Sequence, residues 1–295
     1  PIYYRERPQT RFCNMKTKLD LSVIILTYNE QLHIRRCLEN VCPMAKCIYV
    51  IDCHSSDATR QICEEFNNVK VIDHEWPGNQ AAQLNWALDH LNMETSWVLR
   101  LDADEYLSDE LKEELQAKLP SMPDDVTGLI FPLRRIFMGR EMKHGLPRIL
   151  LMRAWRHGKA CCETRAMDEY MALLEGRSVE MQHWFADHSL LNLEQWTTKH
   201  LGYARREAAM LIKQVESQSE SGHLSQHARR KRHQKAYYAR LPLFWRAFAY
   251  FIYRYCFKLG FLDGKEGFLW HFLQGWWYRT LVDAKVYEMK KNGNF

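Results

Sequence analysis

The feature that most constrains this 295-residue chain is an alternation in its first third. Residues 21–28, 47–51, 69–72 and 97–101 are short, mostly apolar runs, rich in β-branched side chains such as Val23, Ile24 and Ile25 and bounded by polar residues. Such runs read as strands covered on both faces. The segments between them carry apolar residues at helical spacing, as Leu32, Ile34, Cys37, Leu38 and Val41 do within 30–41. Parallel strands need a long crossover, usually a helix, so strand–helix repetition implies an α/β fold: a mostly parallel sheet with helices on both faces. Ligands of such sheets lie beyond the carboxyl ends of the strands. This chain puts Thr27 to Glu30, Asp52 to Asp57 and Asp102 to Glu105 at those ends.

The third of these turns carries two carboxylates one residue apart. Side chains alternate along a strand, so Asp102 and Asp104 project to the same side where it ends. Two hard oxygen donors there suit a divalent cation that also grips substrate phosphates. There is no Walker loop, dinucleotide glycine fingerprint or zinc ligand set to compete with that reading. The nine cysteines are odd in number, with no CxxC among those from Cys37 to Cys63, and read as free thiols of a reducing compartment. Further on, a helix over 109–119 ends at Pro120 and Pro123, strands near 129–137 and 148–155 extend the sheet antiparallel, and a long amphipathic helix spans 192–215. Residues 1–17 read as an irregular extension or tag, 18–221 as the α/β domain and 222–295 as a helical appendage. No signal peptide is evident in the opening residues.

With three strand-end motifs in order, the sequence resembles the inverting glycosyltransferases of family 2, which have the GT-A fold. The motifs are Val23-Ile24-Ile25-Leu26-Thr27-Tyr28-Asn29-Glu30, Asp52-Cys53-His54-Ser55-Ser56-Asp57 and the DxD, Asp102-Ala103-Asp104-Glu105. Within that family it is similar to bacterial glucosyltransferases of the lipopolysaccharide core and of surface polysaccharides, through Asp168-Glu169, Lys199-His200 and Tyr203. Relatives often carry Asp-Glu-His where this chain reads Asp168-Glu169-Tyr170.

The resemblance implies a UDP-sugar donor, with glucose the leading sugar and galactose or an N-acetylhexosamine the alternatives, and a Mg²⁺ or Mn²⁺ cofactor. A silent sugar-nucleotide-binding or membrane-scaffold protein is the reading from another class. Thr27, Tyr28, Asn29 and Glu30 would line the base pocket, and Asp52 would accept from the uracil N–H. Asn29 as a helix cap and Asp57 as a cap of its own helix are the plainer readings of those two residues. Asp104 would ligate the metal, with Asp102 holding ribose or a metal water and His188 as a further ligand. Asn85 and Arg100 are expected at the diphosphate or sugar. Asp168 or Glu169 would be the base for the acceptor hydroxyl, an alternative that the sequence leaves open.

The surplus positive charge is concentrated late in the chain. Residues 221–262 hold nine Lys and Arg and no Asp or Glu, against a formal net charge of +5 for the whole. The aromatic run 241–259 resembles a membrane span until Arg246, Arg254 and Lys258 are counted, since three cations make a lone crossing costly. On a helix the three share one arc, opposite a broad aromatic face. That pattern predicts a helix lying in the bilayer interface, its cations near lipid phosphates and a second aromatic stretch, 268–278, packed beside it. The expected setting is the cytoplasmic face of the inner membrane, bound peripherally through 222–280 to anionic lipid, with a lipid-linked saccharide as acceptor. The competing reading makes these aromatics core between two helices, in a homodimer if shared by two copies. No nucleic-acid module is recognised, and no nucleic-acid partner is expected.

Overall fold

The computed structural model describes residues 17–163, 170–216, 237–238 and 241–292. Strands β1 (Leu19–Thr27), β2 (Ala45–Asp52), β3 (Val69–Asp73) and β4 (Trp97–Asp102) alternate with helices α1 (Ile34–Val41), α2 (Thr59–Glu64) and α3 (Gln80–His90). All four strands run parallel, in the order β3-β2-β1-β4. From Leu21 to Leu26 every residue of β1 is buried. One side of it packs with Ile34, Leu38 and Val41 of α1, the other with Ala81 and Leu84 of α3. That double cover is what its unbroken apolar run anticipates.

After β5 (Glu105–Leu107) comes α4 (Asp109–Lys118), capped by the Ser108 hydroxyl accepting from the Leu111 N–H at 3.1 Å. The chain then turns back through β6 (Val126–Phe137), β7 (Arg140–Glu141) and β8 (Ile149–Arg156). The last of these lies antiparallel between β4 and β6, as the sequence pattern predicts. Strands β9 (Ala160–Cys162) and β10 (Met171–Leu173) form a separate two-stranded ribbon, while β11 (Arg177–Glu180) and β12 (Phe185–His188) add parallel to β6.

Helix α5 (Leu193–Glu216) packs Ala204, Ala208 and Ile212 against Tyr278, Val282 and Val286 of the last helix. The appendage comprises α6 (Trp245–Ile252), α7 (Gly264–Trp270) and α8 (Tyr278–Asn292), with π-helical turns at Tyr253–Phe257 and His271–Trp277. The second aromatic stretch does pack beside the first, through Phe248 and Phe251 on Trp276.

The expected direction of the appendage's cations is overturned. Arg246 is 4% exposed, its Nε donating to Asp283 Oδ1 at 2.8 Å. Arg254 is 2% exposed, donating to the Gly145 carbonyl at 3.2 Å and to Gln274 Oε1 at 2.8 Å. Both guanidiniums therefore face protein, where carboxylate, carbonyl and amide partners offset desolvation, and neither reaches lipid phosphate. Lys258 alone of the three is exposed. The basic run from Arg229 to Lys235 and the boundary placed at 222 lie outside the described residues. Among the described residues no helix is long and apolar enough to cross a membrane, and every cysteine is a free thiol.

Candidate active site

The three strand-end turns converge on one cavity of about 820 Å³, large enough for a nucleotide sugar. The first two turns, which give it Thr27, Tyr28, Glu30 and Cys53, are clasped together. Asn29 has φ 56°, a left-handed conformation that asparagine tolerates. Its N–H donates to Ser55 Oγ at 2.8 Å and its Oδ1 accepts from the Ser56 N–H at 2.8 Å. The Gln31 N–H donates to Asp57 Oδ2 at 3.1 Å, and Asp57 Oδ1 accepts from the Thr59 N–H at 2.9 Å. Burial raises the Asp57 carboxyl, but these hydrogen bonds outweigh it and hold the group below the usual carboxylate range. Asn29 and Asp57 are thus the fasteners of the two loops. Tyr28, 62% exposed, is left projecting into the cavity.

Asp52 is wholly buried. Its carboxylate accepts from Thr27 Oγ1 at 2.9 Å, Ser55 Oγ at 2.6 Å and the Ser55 N–H at 2.8 Å. It braces the wall behind the cavity instead of lining it. Glu30 does line it, held by His33: the Leu190 N–H donates to His33 Nε2 at 2.9 Å, so His33 Nδ1–H donates to Glu30 Oε2 at 2.6 Å.

At the end of β4, Arg100 and Asp102 line the cavity, with Arg100 Nη2 3.4 Å from Asp102 Oδ1 and Arg153 Nη2 3.6 Å from Asp102 Oδ2. Burial works against the Asp102 anion, but the two guanidiniums hold its carboxyl below the usual range. Arg153 also pairs with buried Glu105, which accepts the Asp102 N–H at 2.9 Å and so fixes the turn. Asp104 sits in the opposite field. Burial, with Asp187, Asp102 and Glu30 as like charges and Lys199 only partly offsetting them, pushes its carboxyl up to about 7. Excess negative charge on oxygen donors fits a hard cation. Among the described residues no three His, Cys, Asp or Glu side chains converge as a complete metal set. Two carboxylates completed by substrate phosphates are the usual holding of Mg²⁺.

Two expected residues are corrected. His188 is bound to Arg36, whose Nη1 lies 3.0 Å from His188 Nδ1 while Nη2 donates to the His188 carbonyl at 2.5 Å and the Asp104 carbonyl at 3.1 Å. A guanidinium only donates, so Nδ1 accepts and the neutral ring carries its proton on Nε2, leaving neither nitrogen for a metal. Asn85 exchanges two 2.8 Å hydrogen bonds with the backbone of Cys162, tying α3 to β9 away from the cavity. On the same helix Gln80 and Gln83 do face it. Asp168 and Glu169 lie outside the described residues. Their neighbours Tyr170 and Met171 line the cavity.

Arg153, which the sequence offers as a diphosphate or acceptor contact, lines the cavity, whereas Trp76 and the α5 row were not expected in the donor site. Lys199, Tyr203 and Arg206 follow one another at i, i+4 and i+7, and all three line the cavity. That spacing is the signal that could have found them.

This architecture is matched by known proteins. Residues 22–166 match the family model Glycosyl transferase family 2. The likeness to that family rests on this region, just under half of the chain. An uncharacterized glycosyltransferase of Rickettsia bellii is 32% identical over 121 residues, 41% of this chain and 40% of the relative. The lipopolysaccharide core biosynthesis glycosyltransferase LpsC of Rhizobium meliloti is 29% identical over 118 residues, 39% of this chain and 42% of the relative. The matched region thus spans about two fifths of these relatives. Among solved structures, the mannosyltransferase PcManGT of Pyrobaculum calidifontis, in complex with GDP-Man and Mn²⁺, superposes with a TM-score of 0.51. That match covers 93% of this chain and 88% of the other at 15% identity, and shows a shared GT-A fold.

Proposed function

We propose that this chain transfers a sugar, glucose first among candidates, from a UDP-sugar to a hydroxyl of a lipid-linked saccharide, inverting the anomeric carbon. The likeness to a lipopolysaccharide core glycosyltransferase supports that acceptor class, and such an acceptor would be met at the cytoplasmic face of a membrane. The observation that supports the reading best is the cavity itself, lined by Asp102, Arg100, Arg153 and Lys199, with Asp104 next along the turn and in the field of Asp102 and Lys199.

The acceptor oxygen attacks the anomeric carbon as its bond to the diphosphate breaks, and the hydroxyl proton passes to Asp168 or Glu169. Negative charge builds up on the leaving diphosphate. A Mg²⁺ or Mn²⁺ held by Asp104 and Asp102 would supply electrostatic stabilisation of that charge. The chain adds fixed cations of its own: Lys199, Arg206 and Arg100 at the cavity wall, with Arg153 holding Asp102 and Glu105 in place. Tyr28 and Trp76, both well exposed at the cavity, offer flat faces for the base.

The test is a thermal-shift and turnover screen of UDP-glucose, UDP-galactose and UDP-N-acetylhexosamines with Mn²⁺. Binding to the folded state raises the unfolding temperature by mass action. Stabilisation together with metal-dependent UDP release is the expected result. No stabilisation and no turnover with any of the three would refute the reading.

A further inference from the structure

Among the described residues the appendage buries Arg246 and Arg254 and exposes many of its aromatics. Trp245 is 73% exposed and Phe257 76%, and Phe248, Phe261, Leu262 and Phe268 are also exposed. Phe248, Phe261 and Phe268 are linked through one set of ring contacts, with Trp245 and Phe257 on the same helical segments. Phe248 meets Trp276, which stacks on Phe251; Phe251 stacks on Tyr255, and Tyr255 meets both Phe261 and Phe268. The outcome is one aromatic cluster across these short helical segments, joined through buried Phe251 and half-buried Trp276 and Tyr255 and exposed at Phe248, Phe261 and Phe268. Soluble surfaces rarely carry such a patch without a partner.

The charge around it selects the partner. Lys258 and Lys265 are exposed at this surface. Its acids are spoken for: Asp263 is 2% exposed and holds His144, and Glu266 lies 3.5 Å from Arg140. A ring-rich face with exposed lysines and engaged carboxylates matches the headgroup–acyl boundary of a bilayer, where Trp, Tyr and Phe settle and lysines reach lipid phosphates. We infer that this face of α6, α7 and the turns between them docks the protein on a bilayer by inserting Trp245, Phe257 and Phe261. This surface rests on the membrane-side reading of the acceptor and keeps the expected rings at the headgroups, but takes Arg246 and Arg254 out of the attachment. Insertion of rings, not attraction of Arg246 and Arg254, provides the hold.

The experiment is flotation of the full chain with phosphatidylcholine–phosphatidylglycerol vesicles, comparing it with a Trp245→Ser, Phe257→Ser, Phe261→Ser variant. UDP binding by each serves as the control for folding and for the donor site. The expected result is flotation of the native protein that persists at ~1 M salt, where the Debye length is about 3 Å. The variant should partition at least about tenfold less while binding UDP equally well. Brominated lipid should quench the native fluorescence more than that of Trp245→Phe. Equal flotation of native protein and variant, or flotation abolished by salt, would overturn the inference. So would a native dimer that the triple variant converts to monomer without any vesicle binding, since the face would then belong to a second copy. Failure to bind UDP in the native protein counts against the enzymatic reading and leaves the flotation result standing by itself.

Discussion

Asp52 and Asp104 are both carboxylates just at or beyond the ends of the two parallel strands that flank β1, yet they live in opposite circumstances. Asp52 is wholly buried, and Thr27 and Ser55 supply its carboxylate with three donors. Asp104 is partly exposed, beside Asp187, Asp102 and Glu30, and its carboxyl is pushed up to about 7. A buried charge with its hydrogen bonds made is architecture. One left in a field of like charge is poised for a cation. The two positions therefore separate folding from chemistry within a single site, and substitutions can test the separation.

The largest effect is expected from Asp104→Ala. On the proposed role of anchoring a cation at the diphosphate, its loss should cost on the order of 10³-fold in kcat, about 4 kcal/mol of transition-state stabilisation. Its unfolding midpoint in the absence of metal should not fall, because a strained carboxylate has been removed. Transfer assays with Mn²⁺ and urea unfolding read the two quantities; near-native turnover would remove Asp104 from the mechanism. Asp52→Ala should do the reverse. Leaving the Thr27 hydroxyl and the Ser55 donors without their acceptor should cost about 2 kcal/mol of stability. Donor affinity should weaken as the clasp loosens, and a variant of native stability would show that Asp52 does not brace the loop.

A smaller effect follows from titration. Asp104 must be ionised to hold a cation, so Mn²⁺ affinity should fall by about tenfold per pH unit below 7 and level off above it. Without metal the sign for stability is opposite. A carboxyl whose folded pKa lies above its unfolded value stabilises the fold at acid pH, and that contribution is lost as pH rises from about 4 through 7. The difference between wild type and Asp104→Asn, followed by urea unfolding from pH 4 to 8, isolates this term. A pH-independent difference would mean that Asp104 titrates normally.

The strands and their loaded ends were legible because strand period and strand-end chemistry are local. What sequence could not supply was the identity of partners distant along the chain. His188 resembles a metal ligand until Arg36, 152 residues earlier, takes its Nδ1. The polar arc of Arg246 and Arg254 was visible, but Asp283, Gln274 and Gly145 decide that it faces inward. Periodicity defines two faces of a helix and does not say which is buried. Lys199 and Tyr203 were noticed through resemblance, whereas Arg153 belongs to the site only because β8 lies antiparallel beside β4.

Asn85 gives the smallest and most discriminating test. On α3 it stands five residues after Gln80, about 140° round the helix, so the two amides cannot serve one ligand. Gln80 and Gln83 face the cavity, and Asn85 faces the backbone of Cys162 on β9. Asn85→Ala leaves the Cys162 N–H and carbonyl without these partners and should cost about 1 kcal/mol of stability. Donor affinity should stay within twofold or so of the native value, since no diphosphate contact is lost. Gln80→Ala should show the converse, little change in the urea midpoint and weaker UDP-sugar binding, because its amide stands 3.4 Å from Arg100 at the cavity wall. If Asn85→Ala instead lost donor affinity at native stability, α3 would have to turn its other face to the nucleotide sugar, and the division between brace and ligand that distinguishes Asp52 from Asp104 would not extend to this helix.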